Sequence, residues 1–180
     1  MYDLSQSGDG LKVRTLSVLS LEKQTGSHGA TWLDRELIAR ERMAIADSGF
    51  GRQVNHALSR RAQRLVEMGH ATAKDGNIHI PASTVATLQR QEVERVGHQM
   101  GRERGLTYMP ANAGEYVSGR LAGVASLVSG RFAMIENGLG FQLVPWQPIL
   151  EKRIGQYITG LKRDDGGIEW TLGRNRGLSL

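Results

Sequence analysis

The sequence predicts an α+β chain, a winged-helix-like helical unit followed by a small five-stranded β-barrel or bent sheet. Three observations carry that expectation. Apolar residues recur at helical spacing over much of residues 31–104, broken at Ser48-Gly49 and at an Asp75-Gly76 hairpin signal. Beyond Gly114 the texture changes to short apolar runs punctuated by glycine, the pattern of closely connected strands. The chain has 180 residues, 39% of them hydrophobic, enough to bury a core without disulfides. The expected division is an N-terminal arm or strand over 1–30, the helical unit over 31–109 and the β unit over 110–180.

In the first segment, the run Leu11–Leu21 alternates in part (Leu11, Val13, Leu16, Val18) and reads as one strand or ordered arm after a frayed start. A first helix is predicted from Thr31 to about Ala46, carrying Trp32, Leu33, Leu37, Ile38 and Ile45. Thr31 is its N-cap, and Asp34 at N3 completes a capping-box exchange. A second helix runs from about Phe50 to Met68 on the stripe Val54, Ala57, Leu58, Leu65 and Met68, and Gly69 closes it. Residues 70–80 form the hairpin, and Pro81 ends it. Ser83 or Thr84 caps a third helix that ends near Arg104-Gly105.

In the last segment, strands are expected at Tyr116–Val128, Arg131–Glu136, Gly140–Val144, Tyr157–Leu161 and Ile168–Leu172, with a brief helix at Pro148–Arg153. Phe132, Met134, Phe141, Leu143 and Trp146 alternate as inward side chains of paired strands do.

Composition removes several function classes. The absence of cysteine excludes thiolate metal sites, cysteine nucleophiles and disulfides. The five histidines (His28, His56, His70, His79, His98) have no metal-ligand spacing, with only His70 and His79 placed to face one another across the hairpin, and no phosphate-cradling glycine loop followed by Lys-Ser/Thr is present. Glu151 and Glu169 are carboxylates that nothing in the sequence brings together. No cofactor, no metal and no catalytic residue is expected. With no apolar run of about 18 residues and no signal-peptide pattern, the expected location is cytoplasmic, without membrane insertion.

The formal charge of +5 biases the chain toward polyanions. Part of the excess is local. Between Phe50 and Val66 stand Arg52, Arg60, Arg61 and Arg64 with no acidic residue. Helical spacing puts Gln53, His56, Arg60, Gln63 and Arg64 on the face opposite the apolar stripe, the composition of a recognition helix whose Arg and Gln side chains hydrogen-bond base edges. Arg52 joins this set, as do Lys74 at the hairpin tip and Arg174 and Arg176 in the tail, placed to reach phosphate. A plain solvated basic face would look the same from sequence, and a GC-rich genome would give the same arginine bias.

A resemblance adds context. Gly-Ala-Thr-Trp-Leu-Asp-Arg (29–35), Gly-Phe-Gly (49–51), Arg-Arg-Ala-Gln-Arg-Leu-Val-Glu-Met-Gly (60–69), Ser-Gly-Arg-Phe-Ala-Met-Ile (129–135), Phe-Gln-Leu-Val-Pro-Trp-Gln-Pro (141–148) and Gly-Ile-Glu-Trp-Thr-Leu-Gly-Arg-Asn-Arg-Gly (167–177) together resemble a domain of unknown function that follows the nuclease domain in plasmid relaxase/mobilisation-nuclease polypeptides. The resemblance runs from about Leu16 to the C-terminus. It implies conjugative DNA processing in a relaxosome-like assembly and supplies no activity. The nuclease of that family uses a tyrosine and a histidine cluster holding a divalent metal. This chain has no such cluster, so Tyr108, Tyr116 and Tyr157 inherit no catalytic role. A separately made fragment, an internal-start product and a stand-alone relative all remain open.

The expected function is that of a non-catalytic DNA-associating accessory module of a conjugative relaxase system, with duplex DNA favoured over single-stranded. Relaxase or other relaxosome proteins are candidate partners. The alternative is a protein-interaction module that recruits relaxase or secretion-coupling partners. An enzyme whose site assembles from dispersed residues is a third, weaker alternative.

Overall fold

The computed structural model describes residues 2–7, 10–15 and 17–171, the first two stretches as backbone only. The chain divides into two units, Met1–Glu92 and Val93–Leu180, with the division falling inside a long helix.

Unit 1 opens with an antiparallel pair, β1 (Tyr2–Ser7) and β2 (Gly10–Thr15). The single strand expected here is therefore a hairpin. Its second half does not extend to Leu21, because Ser20 caps a short helix, α1 (Leu21–Gly26), by accepting from the Lys23 backbone N–H at 3.3 Å. The predicted capping box is present: α2 (Trp32–Ile38) starts with Thr31 accepting from the Asp34 N–H while the Asp34 carboxylate accepts from the Thr31 N–H. This helix stops eight residues short of the expected Ala46. Beyond Ile38 only Ala39 and Ile45 are even half-buried, so no continuous apolar face rewards further helix, and Glu36 turns back to accept the Met43 N–H at 2.6 Å.

Helix α3 (Gly49–Glu67) follows the Phe50–Met68 expectation closely. The Gly-Phe-Gly motif explains its start. Gly49 has φ of +53°, and a Cβ on Gly51 would collide with the Ala46 carbonyl. Strands β3 (Thr72–Lys74) and β4 (Asn77–His79) then form the predicted hairpin. Asp75 and Gly76 both have positive φ (50° and 77°), as the tightest two-residue turn requires. Helix α4 (Thr84–Arg104) spans the predicted third helix. Ala30, Leu65, Ala71 and Leu88 form the core of this unit.

Unit 2 corrects the five-stranded barrel. Its sheet has six strands in the order β10 (Ile168–Thr171), β9 (Tyr157–Lys162), β6 (Tyr116–Leu127), β7 (Gly130–Glu136), β8 (Gly140–Pro145) and β5 (Thr107–Tyr108). It is open, with β10 and β5 as its edges among the described residues, and it is mixed, because β5 runs parallel to β8. The extra strand has only two residues, too few to show alternation. The expected bend is concentrated in β6, whose residues 116–120 pair with β9 and whose residues 120–127 pair with β7, with a bulge between Leu121 and Gly123. The 3-10 helix at Pro148–Arg153 lies where the brief helix was expected.

This sheet is apolar on both sides at its centre. Phe132, Met134, Phe141 and Leu143 join Tyr108 in one cluster, with Val93 and Met100 of α4 against it. The residues between them, Ala133, Ile135 and Val144, join Leu121, Leu150 and Ile158 in a second. Trp146, grouped with the first set by sequence, packs on the second, because Pro145 ends the strand and breaks the alternation. There the Arg131 guanidinium stacks 4.8 Å from the centre of its ring. Burial, with the Glu94 charge adding to it, pushes the Tyr108 hydroxyl up to about 12.

Two predictions follow from the Tyr108 environment. A Cβ at Gly97 would lie 2.5 Å from the Tyr108 ring. On an open helix surface Gly→Ala stabilises by about 1 kcal/mol, whereas overpacking costs about 1–3 kcal/mol. Gly97→Ala is therefore expected to lower the urea midpoint, and a raised midpoint would show that the ring yields freely. Because the Tyr108 hydroxyl keeps its proton in the folded chain to about pH 12 but loses it near pH 10 when unfolded, the stability it provides is complete below about pH 10 and is lost as pH rises toward 12. Tyr108→Phe should flatten the fall of the urea midpoint between about pH 9.5 and 11.5. An equally steep fall in the variant would count against this environment.

Candidate nucleic-acid interface

The candidate interface rests on α3, and α3 is held from behind by an arginine. Arg61 and Asp34 are both fully buried. The guanidinium grips Asp34 bidentately, Nε to Oδ1 at 2.7 Å and Nη2 to Oδ2 at 2.9 Å. Nη1 donates to the carbonyls of Thr25 (3.1 Å) and Ser27 (2.6 Å), and Nη2 also donates to Gly29 (3.1 Å). All five guanidinium N–H groups thus have acceptors. Asp34 Oδ2 additionally accepts from the Thr31 N–H and hydroxyl, at 2.7 and 2.8 Å. One buried ion pair thereby ties the end of α1, the loop at Gly29, the start of α2 and the middle of α3 together.

Arg61, one of the four basic residues between Phe50 and Val66, thus has a structural role that residue type alone does not signal. A signal was present, since Arg61 stands four residues from both Ala57 and Leu65, in line with the buried stripe Val54, Ala57, Leu65.

With Arg61 turned inward, the opposite side of α3 carries Arg52, Gln53, His56, Arg60 and Gln63, all exposed. The helix thus brings together five of the predicted residues on one face. Arg64 lies on the shoulder, half-buried, in a 2.8 Å ion pair with Glu67. Arg52 also reaches the Asp47 carbonyl at 3.4 Å. Gln53, His56 and Arg60 line an open groove of about 340 Å³ against Leu21, Glu22 and Thr25 of α1. Glu22 brings the opposite charge to one rim of this groove. Lys74 is exposed at the end of β3, beside the Asp75-Gly76 turn, and every residue of β3 and β4 is exposed. Within that ladder His79 pairs with Thr72, so His70 and His79 are not cross-strand neighbours. Arg174 and Arg176 lie outside the described residues.

Such a face offers hydrogen-bond donors and positive charge to an anionic partner. Among the described residues, no group of three His, Asp or Glu side chains could hold a metal ion. Glu151 and Glu169 are both exposed. No described helix is long and apolar enough to cross a membrane.

Comparison with known proteins gives one result. A family model described as Protein of unknown function (DUF3363) matches residues 1–179, and the chain belongs to that family. No curated protein and no solved structure matches it.

Removing either partner of the buried pair leaves an unpaired charge in the core, which costs about 3–5 kcal/mol. Asp34→Asn is expected to lower the unfolding free energy by about that much, and Arg61→Lys, which keeps the charge but cannot reproduce a five-donor fork, by about 1–3 kcal/mol. The double variant should cost less than the two singles summed. Additive losses of under about 1 kcal/mol in urea melts would contradict this geometry.

Proposed function

We propose that the chain is a non-catalytic DNA-associating accessory module of a conjugative plasmid-mobilisation system, acting in the cytoplasm and contacting duplex DNA through α3. In this reading unit 1 is winged-helix-like. Helices α1 and α2 support α3, which presents its outer face to the major groove, and the β3–β4 hairpin is the wing that carries Lys74 toward phosphate. The observation that carries the reading is the exposed face Arg52, Gln53, His56, Arg60, Gln63, a set of donors suited to guanine and adenine edges and to phosphate. The plasmid context comes from the resemblance to the domain that follows the nuclease in relaxase polypeptides. Relaxase or other relaxosome proteins are the partners this context suggests. Recruitment of such proteins without DNA contact is the competing reading.

The test is fluorescence anisotropy with duplex and single-stranded oligonucleotides over a range of salt concentrations. Replacing Arg60 and Arg64 together with alanine should weaken duplex binding and make the slope of log K against log salt shallower by about one to two. Thermal stability should change little, since the surface Arg64–Glu67 pair is worth only about 0.5 kcal/mol. An unchanged slope would sink the α3 assignment, and no binding even at low salt would favour protein recruitment.

A further inference from the structure

The sheet of unit 2 has a second surface that the reading of α3 does not use. Cross-strand register puts Tyr116 opposite Leu161, Ser118 opposite Thr159 and Arg120 opposite Tyr157, and Glu169 and Thr171 opposite Leu161 and Thr159. Directly paired residues share a face, so these eight form one surface over β6, β9 and β10. The alternate residues, Val117, Ile158 and Ile168, point the other way into the core. Tyr116 and Tyr157 are 69% and 70% exposed, among the most exposed large side chains of the described residues.

Tyr157 is also held in place. It sits opposite Arg120, yet its hydroxyl accepts from Ser118 Oγ, two residues along β6, at 3.3 Å. Ser118 in turn shares a 2.7 Å hydrogen bond with Thr159. The phenol ring therefore leans across the strands along the sheet surface, leaving an aromatic face to solvent. Tyr116 stands four residues along β6 from the position opposite Tyr157, roughly 14 Å away at strand rise. Ser118 and Thr159 lie between them, and Arg120, directly opposite Tyr157, is largely exposed and tethered to Glu136 by a long 3.4 Å contact. Among the eight residues Arg120 is the one basic side chain and Glu169 the one acidic side chain.

We propose that this face binds single-stranded DNA, with bases stacking on Tyr157 and Tyr116 and the Arg120 guanidinium taking a phosphate or stacking beside them. Two separated aromatic faces, hydroxyls between them and an arginine exchangeable from a weak ion pair are what sequence-tolerant single-strand binding uses. A duplex keeps its base faces stacked inside and offers them to no tyrosine. The choice of DNA as the nucleic acid rests on the proposed function above. The site itself is independent of α3.

The test uses the full chain and a fluorescein-labelled oligo(dT) of about 15 nucleotides at low salt, with a duplex of equal length beside it. Tyr116→Ala and Tyr157→Ala should each weaken oligo(dT) binding about ten-fold or more. Tyr116→Phe should bind as the parent does, because the ring is kept. Both tyrosines are exposed, so the melting temperature serves as a folding control and should stay near that of the parent. Arg60→Ala with Arg64→Ala should weaken duplex binding and leave oligo(dT) binding intact. That separates failure of the α3 reading from failure of this one. Oligo(dT) binding that is absent in the parent, or unchanged when Tyr116→Ala and Tyr157→Ala are combined, would overturn the proposal.

Discussion

A guanidinium with no access to water is tolerable only if every one of its N–H groups finds an acceptor, and that constraint organises unit 1. Arg61 meets it by collecting three backbone carbonyls and both oxygens of Asp34. The carbonyls belong to Thr25, Ser27 and Gly29, so the path of the chain between α1 and α2 is dictated by where the fork can reach. Asp34 performs a second task at the same time, capping its own helix through Thr31. Since Arg61 is at the middle of α3, satisfying it also fixes which side of α3 meets solvent. The exposed face with Arg52, His56 and Arg60 is thus a consequence of an inward-facing residue of the same type.

Unit 2 is governed by apolar packing. Strand β7 is buried on both faces, because Val93 and Met100 of α4 cover one side of the sheet centre and Leu150 with Leu121 of β6 and Ile158 of β9 fill the other. The half of the sheet made by β6, β9 and β10 has the usual one-sided arrangement, with Val117, Ile158 and Ile168 inward and hydroxyl, tyrosine and charged side chains outward.

These differences explain what could be read from the sequence. The hairpin at Asp75-Gly76 was legible because few dipeptides accept two successive positive φ values, and α3 and α4 were legible because each keeps an apolar stripe for many turns. Five of the six strands of unit 2 were legible from apolar runs bounded by glycine. Strand β5 was hidden by its two-residue length. Helix α1 was hidden because its six residues offer one turn and a half of pattern beside a strand-like run. Helix α2 was overextended because helix-forming residues continue past Ile38 although nothing remains for them to pack on. For the candidate site, the solvent positions of α3 followed from spacing alone. Arg61 was misjudged because residue type suggested solvent, where position on the stripe suggested core.

The inward arginine also bears on how a mutational scan of this protein would read. Scored by loss of function, Arg61 would appear beside Arg60 as a neighbouring basic hit, and the two would look like parts of one binding epitope. Their losses have different origins, one in the folded population and the other in the surface the folded molecule offers. Among relatives, Asp34 and Arg61 are expected to be kept or exchanged together, whereas Arg60 is free to vary with whatever the outer face of α3 touches. Adjacent arginines in the chain therefore record two separate histories, one of the fold and one of its partner.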